Sequence, residues 1–276
     1  MKTLFMILVL GFMASACSTN SKNVSKTEKR ALIYYAQGTR NLVDKEYTKA
    51  LKNLLEANSL KEGDTKIHTN LGMAYYFKKN VDLAVKHLKY AIELDAKNTN
   101  AKLNLATIYM ETDKLELAEK NLQAVLGDLV YEEQFRTYYN LGILEIKRNQ
   151  RLKAISYFKS SVDINENYCP SFFQLGRLYY DQANYKEALK MYREATMGTC
   201  YNNPEPHYRQ ALSLIKLNQY AEATIKLEEM TEKFALTKYE AMARRALVKV
   251  NQLKNESYQN KMKAKNYKGN ILTPDF

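Results

Sequence analysis

The chain has 276 residues, 46% of them hydrophobic and 26% charged, with a formal charge of +12. That apolar content can bury a substantial core, which sets aside a wholly unfolded chain. The basic balance reads as a lysine-rich solvated surface, with anionic partners such as acidic lipid headgroups, cell-wall polymers or an acidic protein as the alternative. No recognisable nucleic-acid module accompanies it, so nucleic acid is not expected among them.

At the N-terminus, Lys2 precedes an apolar run from Leu4 to Met13, followed by Ala14-Ser15-Ala16-Cys17. The run is too short for a stable transmembrane helix and suits the core of a signal peptide. Small residues directly before a cysteine resemble the lipobox of bacterial lipoproteins, although Ala14 stands where leucine is usual. The resemblance implies cleavage after residues 1–16, diacylation of Cys17 and acylation of its new amine. Losing that segment removes one lysine and leaves +11. An ordinary signal peptide cut after Ala16 is the alternative. Several acyl chains anchor firmly where one chain holds marginally. Ser18, not aspartate, follows the cysteine; by resemblance to enteric-type sorting rules this implies the outer membrane, with the protein facing the periplasm. Residues 17–30 lack apolar periodicity and read as a flexible tether.

From residue 31 a small residue recurs: Gly38, Gly72, Ala106, Gly142, Gly176 and Ala211, spaced 34, 34, 36, 34 and 35 residues apart. Twelve residues after each comes an alanine: Ala50, Ala84, Ala118, Ala154, Ala188 and Ala223. Four further on stands a large apolar residue: Leu54, Leu88, Leu122, Phe158, Tyr192 or Leu227. A period near 34 residues marks stacked helical hairpins. The small residue and the alanine are expected to face each other across a close helix pair, with the large residue filling the gap to the next hairpin. The pattern resembles the tetratricopeptide repeat, helped by Leu71-Gly72, Leu105-Ala106, Leu141-Gly142 and Leu175-Gly176 and by Tyr75, Tyr109 and Tyr179. The family's closing proline is missing throughout. The implied fold is all-α: a superhelical array of six hairpins over residues 31–235, covered by a C-terminal capping helix.

Such arrays line a concave groove with their first helices. The resemblance places there Asn70, Met73, Tyr76, Phe77, Leu103, Asn104, Thr107, Met110, Tyr139, Asn140, Ile143, Ile146, Phe173, Arg177, Tyr180, Tyr208, Leu212 and Ile215. The set is apolar and aromatic, which suits an amphipathic helix or an extended apolar peptide. Asn70, Asn104 and Asn140 share one register position. In peptide-clamp members of the family, asparagine there pairs with peptide backbone; capping of internal turns is the alternative.

In the fifth repeat, Cys169 starts the first helix and Cys200 ends the second. The two ends of an antiparallel hairpin meet, so a disulfide is expected, consistent with an oxidising compartment. No CxxC and no histidine cluster suggests a metal; His68, His87 and His207 are scattered, and His68 and His207 occupy a packing position of the repeat. No phosphate loop, HExxH or GxSxG motif is present, so neither an enzyme nor a cofactor is expected.

After the repeats, Tyr239, Met242, Ala246, Val250 and Leu253 recur at helical spacing, giving a capping helix over 236–253. The lysine-rich residues 254–276 read as a polar, partly disordered tail. A lipobox, a tether, six repeats and a late cysteine pair together resemble the type IV pilus pilotins, the PilF/PilW/Tgl group. That resemblance implies binding of secretin subunits, their localisation and assembly at the outer membrane, and a monomer outside its complex. A β-barrel assembly subunit or a scaffold recruiting peptidoglycan enzymes are the alternatives.

Overall fold

The computed structural model describes residues 25–270, with side chains to Ala264 except at residue 199. Among the described residues there are thirteen α-helices and no strand. Six hairpins follow in order: α1 (Lys26–Val43) with α2 (Tyr47–Leu60), α3 (Thr65–Phe77) with α4 (Val81–Leu94), and α5 (Thr99–Glu111) with α6 (Leu115–Leu126). Then come α7 (Gln134–Lys147) with α8 (Arg151–Ile164), α9 (Cys169–Asp181) with α10 (Tyr185–Ala195), and α11 (Pro204–Lys216) with α12 (Tyr220–Lys233). The last helix, α13 (Lys238–Asn270), packs on α12 and α11. Each second helix packs on the first helix of the next hairpin, and α1, α3, α5 and α7 touch in succession. The first helices from α1 to α7 therefore form a continuous layer.

Hairpin closure depends on the small residues. A β-carbon on Gly72 would lie 2.6 Å from Leu88 Cγ and 3.2 Å from the Ala84 carbonyl oxygen. A β-carbon on Gly38 would lie 2.6 Å from Leu54 Cγ, and one on Gly176 would lie 2.7 Å from the Tyr192 ring. The large residue thus covers the small residue of its own hairpin. It also belongs to the core shared with the next one: Leu54 clusters with Ile67 and Leu71 of α3, and Phe158 with Leu175 and Leu178 of α9. The alanine contributes its backbone, which only a short side chain allows to come so near.

The turn inside every hairpin is the same. The seventh residue after the small one has positive φ: Lys45 (61°), Lys79 (65°), Asp113 (57°), Asn149 (59°), Ala183 (58°) and Asn218 (58°). The following N–H reaches back across the turn, as in Asn80 to Tyr75 O (2.9 Å) and Asn184 to Tyr179 O (2.9 Å). This satisfies a terminal helix carbonyl in the manner of a Schellman cap.

Both ends differ from the expected boundaries. Ser25 and Glu28 form a reciprocal capping box that starts α1 at Lys26, so residues 26–30 are helix and not tether. At the other end, α13 runs on past Leu253 to Asn270. Residues 254–268 contain neither glycine nor proline, and lysine, glutamine, methionine and alanine all favour helix. The signal segment, Cys17 and residues 271–276 lie outside the described residues. No described helix is long and apolar enough to cross a membrane.

Candidate partner-binding groove

The groove positions come from one face of each first helix. Asn70, Met73, Tyr76, Asn104, Thr107, Tyr139, Asn140, Ile143, Ile146, Phe173, Tyr180, Tyr208, Leu212 and Ile215 are half-buried, while Phe77 and Arg177 are exposed. Two expected lining residues are not accessible. Met110 is 3% exposed and Leu103 is 4% exposed, and both pack in the central core with Tyr109, Leu122 and Leu144. The unbranched Met110 side chain fits the space between neighbouring hairpins and is lost to the groove.

Aromatic contacts brace this face. Tyr139 packs against Phe158 (5.7 Å between centroids) and Tyr168 (5.6 Å), and Phe173 against Tyr192 (6.0 Å). Tyr180 meets Tyr185 edge-on at 5.1 Å. The Tyr76 hydroxyl donates to the Glu111 carboxylate of the next hairpin. Burial, with that carboxylate beside it, pushes the Tyr76 phenol up to about 12.

The three asparagines are not equivalent. Asn70 donates its amide to Thr39 Oγ1 at 2.8 Å, tying α3 to α1. Asn104 and Asn140 are half-buried, and their side chains make no hydrogen bond among the described residues. They present unused donors and acceptors in the groove. The same register continues to Gln174, which accepts from Arg177 (3.2 Å), and to Arg209, which lies 3.7 Å from Glu205. Sequence reading omitted these two; counting two residues back from Gly176 and Ala211 finds both.

Cys169 and Cys200 are joined, with their Cα atoms 6.1 Å apart. Histidine placement departs from the sequence reading in one respect. His68 and His87 are not scattered: their Nδ1 atoms lie 2.9 Å apart and the rings stack. Tyr90 packs edge-on against His68 (4.6 Å), and Tyr75 stacks on His87 (5.2 Å). Burial lowers both pKa values. His87 falls to about 4, helped by the nearby His68 and Lys86 charges. His207 is buried, hydrogen-bonded to the Tyr201 carbonyl oxygen (2.9 Å) and packed on Phe234. Among the described residues no group of three or more His, Cys, Asp or Glu is placed to hold a metal.

Tetratricopeptide repeat models match residues 78–129, 135–168 and 170–197. Over these residues, α4 to α10, the helices are tetratricopeptide repeats. Superkiller protein 3 of Schizosaccharomyces pombe is 30% identical over 135 residues, which are 47% of this chain and 10% of that protein. Type IV pilus assembly protein PilF of Pseudomonas aeruginosa is 23% identical over 192 residues, 68% of this chain and 76% of PilF. The chain thus spans a tenth of the first relative and three quarters of the second. Tetratricopeptide structures align with most of the array. The structure of Pseudomonas aeruginosa PilF matches with a TM-score of 0.64 at 17% identity, covering 80% of this chain and 100% of that one. PilW, described as a widely conserved type IV pilus biogenesis factor, matches with a TM-score of 0.65 at 14% identity, covering 77% and 97%. At these identities the structural likeness is one of fold. The chain therefore carries tetratricopeptide repeats over the matched residues, and it is similar to PilF along 68% of its length.

Proposed function

We propose that this chain is a pilotin: a lipid-anchored tetratricopeptide scaffold that binds secretin subunits and promotes their assembly in the outer membrane during type IV pilus biogenesis. The observation that carries the reading is the breadth of the match to PilF, 68% of this chain and 76% of PilF. The Superkiller match takes up a tenth of a much longer protein. Repeats shared piecemeal indicate a common building block, whereas repeats shared over most of both chains support a common architecture.

The mechanism is chaperoning. Ile143, Ile146, Phe173 and Tyr180 offer half-buried apolar surface to an amphipathic segment of a secretin protomer, and Asn104 and Asn140 offer hydrogen bonds to its backbone. Covering that segment keeps it from aggregating, and acyl chains on Cys17 would bring it to the membrane. The test is a pull-down from detergent-solubilised outer membranes, repeated with Ile143→Asp, Phe173→Asp and Tyr180→Asp. A secretin recovered by the native protein and lost with the variants supports the reading. Barrel-assembly proteins or peptidoglycan hydrolases in its place would overturn it.

A further inference from the structure

At the C-terminal end of the groove, α11, the start of α12 and α13 enclose a pocket of about 620 Å³. Tyr208, Leu212, Ile215, Met242, Ala246 and Leu253 give it an apolar lining. Lys216, Arg245 and Lys249 also line it, and no carboxylate does. None of these three cations has a carboxylate partner among the described residues. Their neighbours do: Arg244 lies 2.9 Å from Glu240, and Arg209 lies 3.7 Å from Glu205. Lys216 stands 5.9 Å from the centre of the Tyr185 ring, a contact that leaves its charge uncompensated. Basic character continues along the exposed part of α13, where Lys254, Lys261 and Lys263 outnumber Glu256.

We propose that this pocket takes an acidic amphipathic peptide segment. Its apolar side chains enter between α11 and α13, and its carboxylates meet Lys216, Arg245 and Lys249. Three like charges around one apolar hollow repel each other until an anionic partner is seated, so charge sign selects the occupant. The volume falls within the range of about 300–1,000 Å³ common to sites that enclose compact apolar groups. Tyr208 and Leu212 belong to both pocket and groove, so a segment lying along the first helices runs directly into it. The inference rests on groove binding as proposed above but not on the partner being a secretin.

The experiment titrates the purified protein into two fluorescent amphipathic peptides with the same Leu/Phe face, one flanked by Glu and the other by Lys. The Glu peptide is expected to bind more tightly by about tenfold, with the difference shrinking as salt rises. Arg245→Glu combined with Lys249→Glu alters two exposed side chains, leaves the helical circular dichroism unchanged and reverses the preference. Equal binding of the two peptides, no binding, or an unchanged preference in the double variant overturns the proposal. So does binding to anionic phospholipid vesicles in preference to the Glu peptide. A failed secretin pull-down alongside a charge-selective peptide result would remove the pilotin reading and leave this one standing.

Discussion

A β-carbon placed on Gly142 would lie 2.5 Å from Cε1 of Phe158 and 2.7 Å from its Cδ1 and Cζ. The ring lies directly over the glycine, where α7 and α8 pack together. Alanine is favoured over glycine inside a helix by about 1 kcal/mol. Displacing a packed ring costs about 1–3 kcal/mol. Gly142→Ala is therefore expected to destabilise by up to about 2 kcal/mol in urea unfolding. Gly127→Ala, whose methyl group would meet only carbonyl oxygens at 3.6 and 3.9 Å, should be neutral. The native Ala106 and Leu122 occupy the matching positions of the third repeat. Phe158→Leu should accordingly relieve part of the cost of Gly142→Ala, and a double-mutant cycle with no coupling would contradict this packing.

Ala183 holds the left-handed conformation at φ 58°. An L residue there costs roughly 1–2 kcal/mol, partly offset in the comparison by the greater unfolded freedom of glycine. Ala183→Gly should raise stability by up to about 1 kcal/mol without altering any contact. A loss of stability would show that the methyl group is needed.

The His68–His87 pair makes the fold sensitive to acid. Both pKa values lie below the ordinary 6.5 in the folded protein, His87 at about 4. The unfolded chain therefore binds protons that the fold excludes. Stability is complete above about pH 6.5, falls as pH drops toward 4, and levels off below. Because the His87 ring is only half-buried, solvent screening cuts its contribution to about 1 kcal/mol. His87→Gln should flatten the dependence of Tm on pH in that window; an unaltered slope would remove the pair from the account.

Cys169 and Cys200 are 31 residues apart in sequence. Opening a loop of that length destabilises by about 3–4 kcal/mol in the chain-entropy treatment. Reductant should lower the thermal stability of the fifth repeat, shown by hydrogen exchange in α9 and α10. A Cys169→Ala, Cys200→Ala variant should no longer respond to reductant.

These features were not equally legible in the sequence. The hairpin period shows because Gly72, Ala84 and Leu88 form one contact set within a single repeat. The turns did not show, because Lys45, Lys79, Asp113, Asn149, Ala183 and Asn218 take a conformation usually marked by glycine. The Ser25-to-Glu28 box was missed when residues 17–30 were read as tether, although Ser and Glu at this spacing are a helix-start signal. His68 and His87 meet only when the register of both helices is applied together. Met110 was misassigned because position in a repeat gives a direction but not the depth of the neighbours, and α5 has packed helices on both sides.

Asn70, Asn104 and Asn140 share a register but not a role. The Asn70 amide is bound to Thr39 Oγ1 at 2.8 Å. Asn70→Ala should cost about 1 kcal/mol of stability and loosen the first repeat against the second. The Asn104 and Asn140 side chains have no such bond among the described residues. Asn104→Ala with Asn140→Ala should leave urea unfolding unchanged and weaken capture of the partner. Assaying all three variants for unfolding and for partner recovery separates the two roles. If Asn70→Ala impaired capture at unchanged stability, or the paired variant unfolded early, the division between structural and binding asparagines would fail.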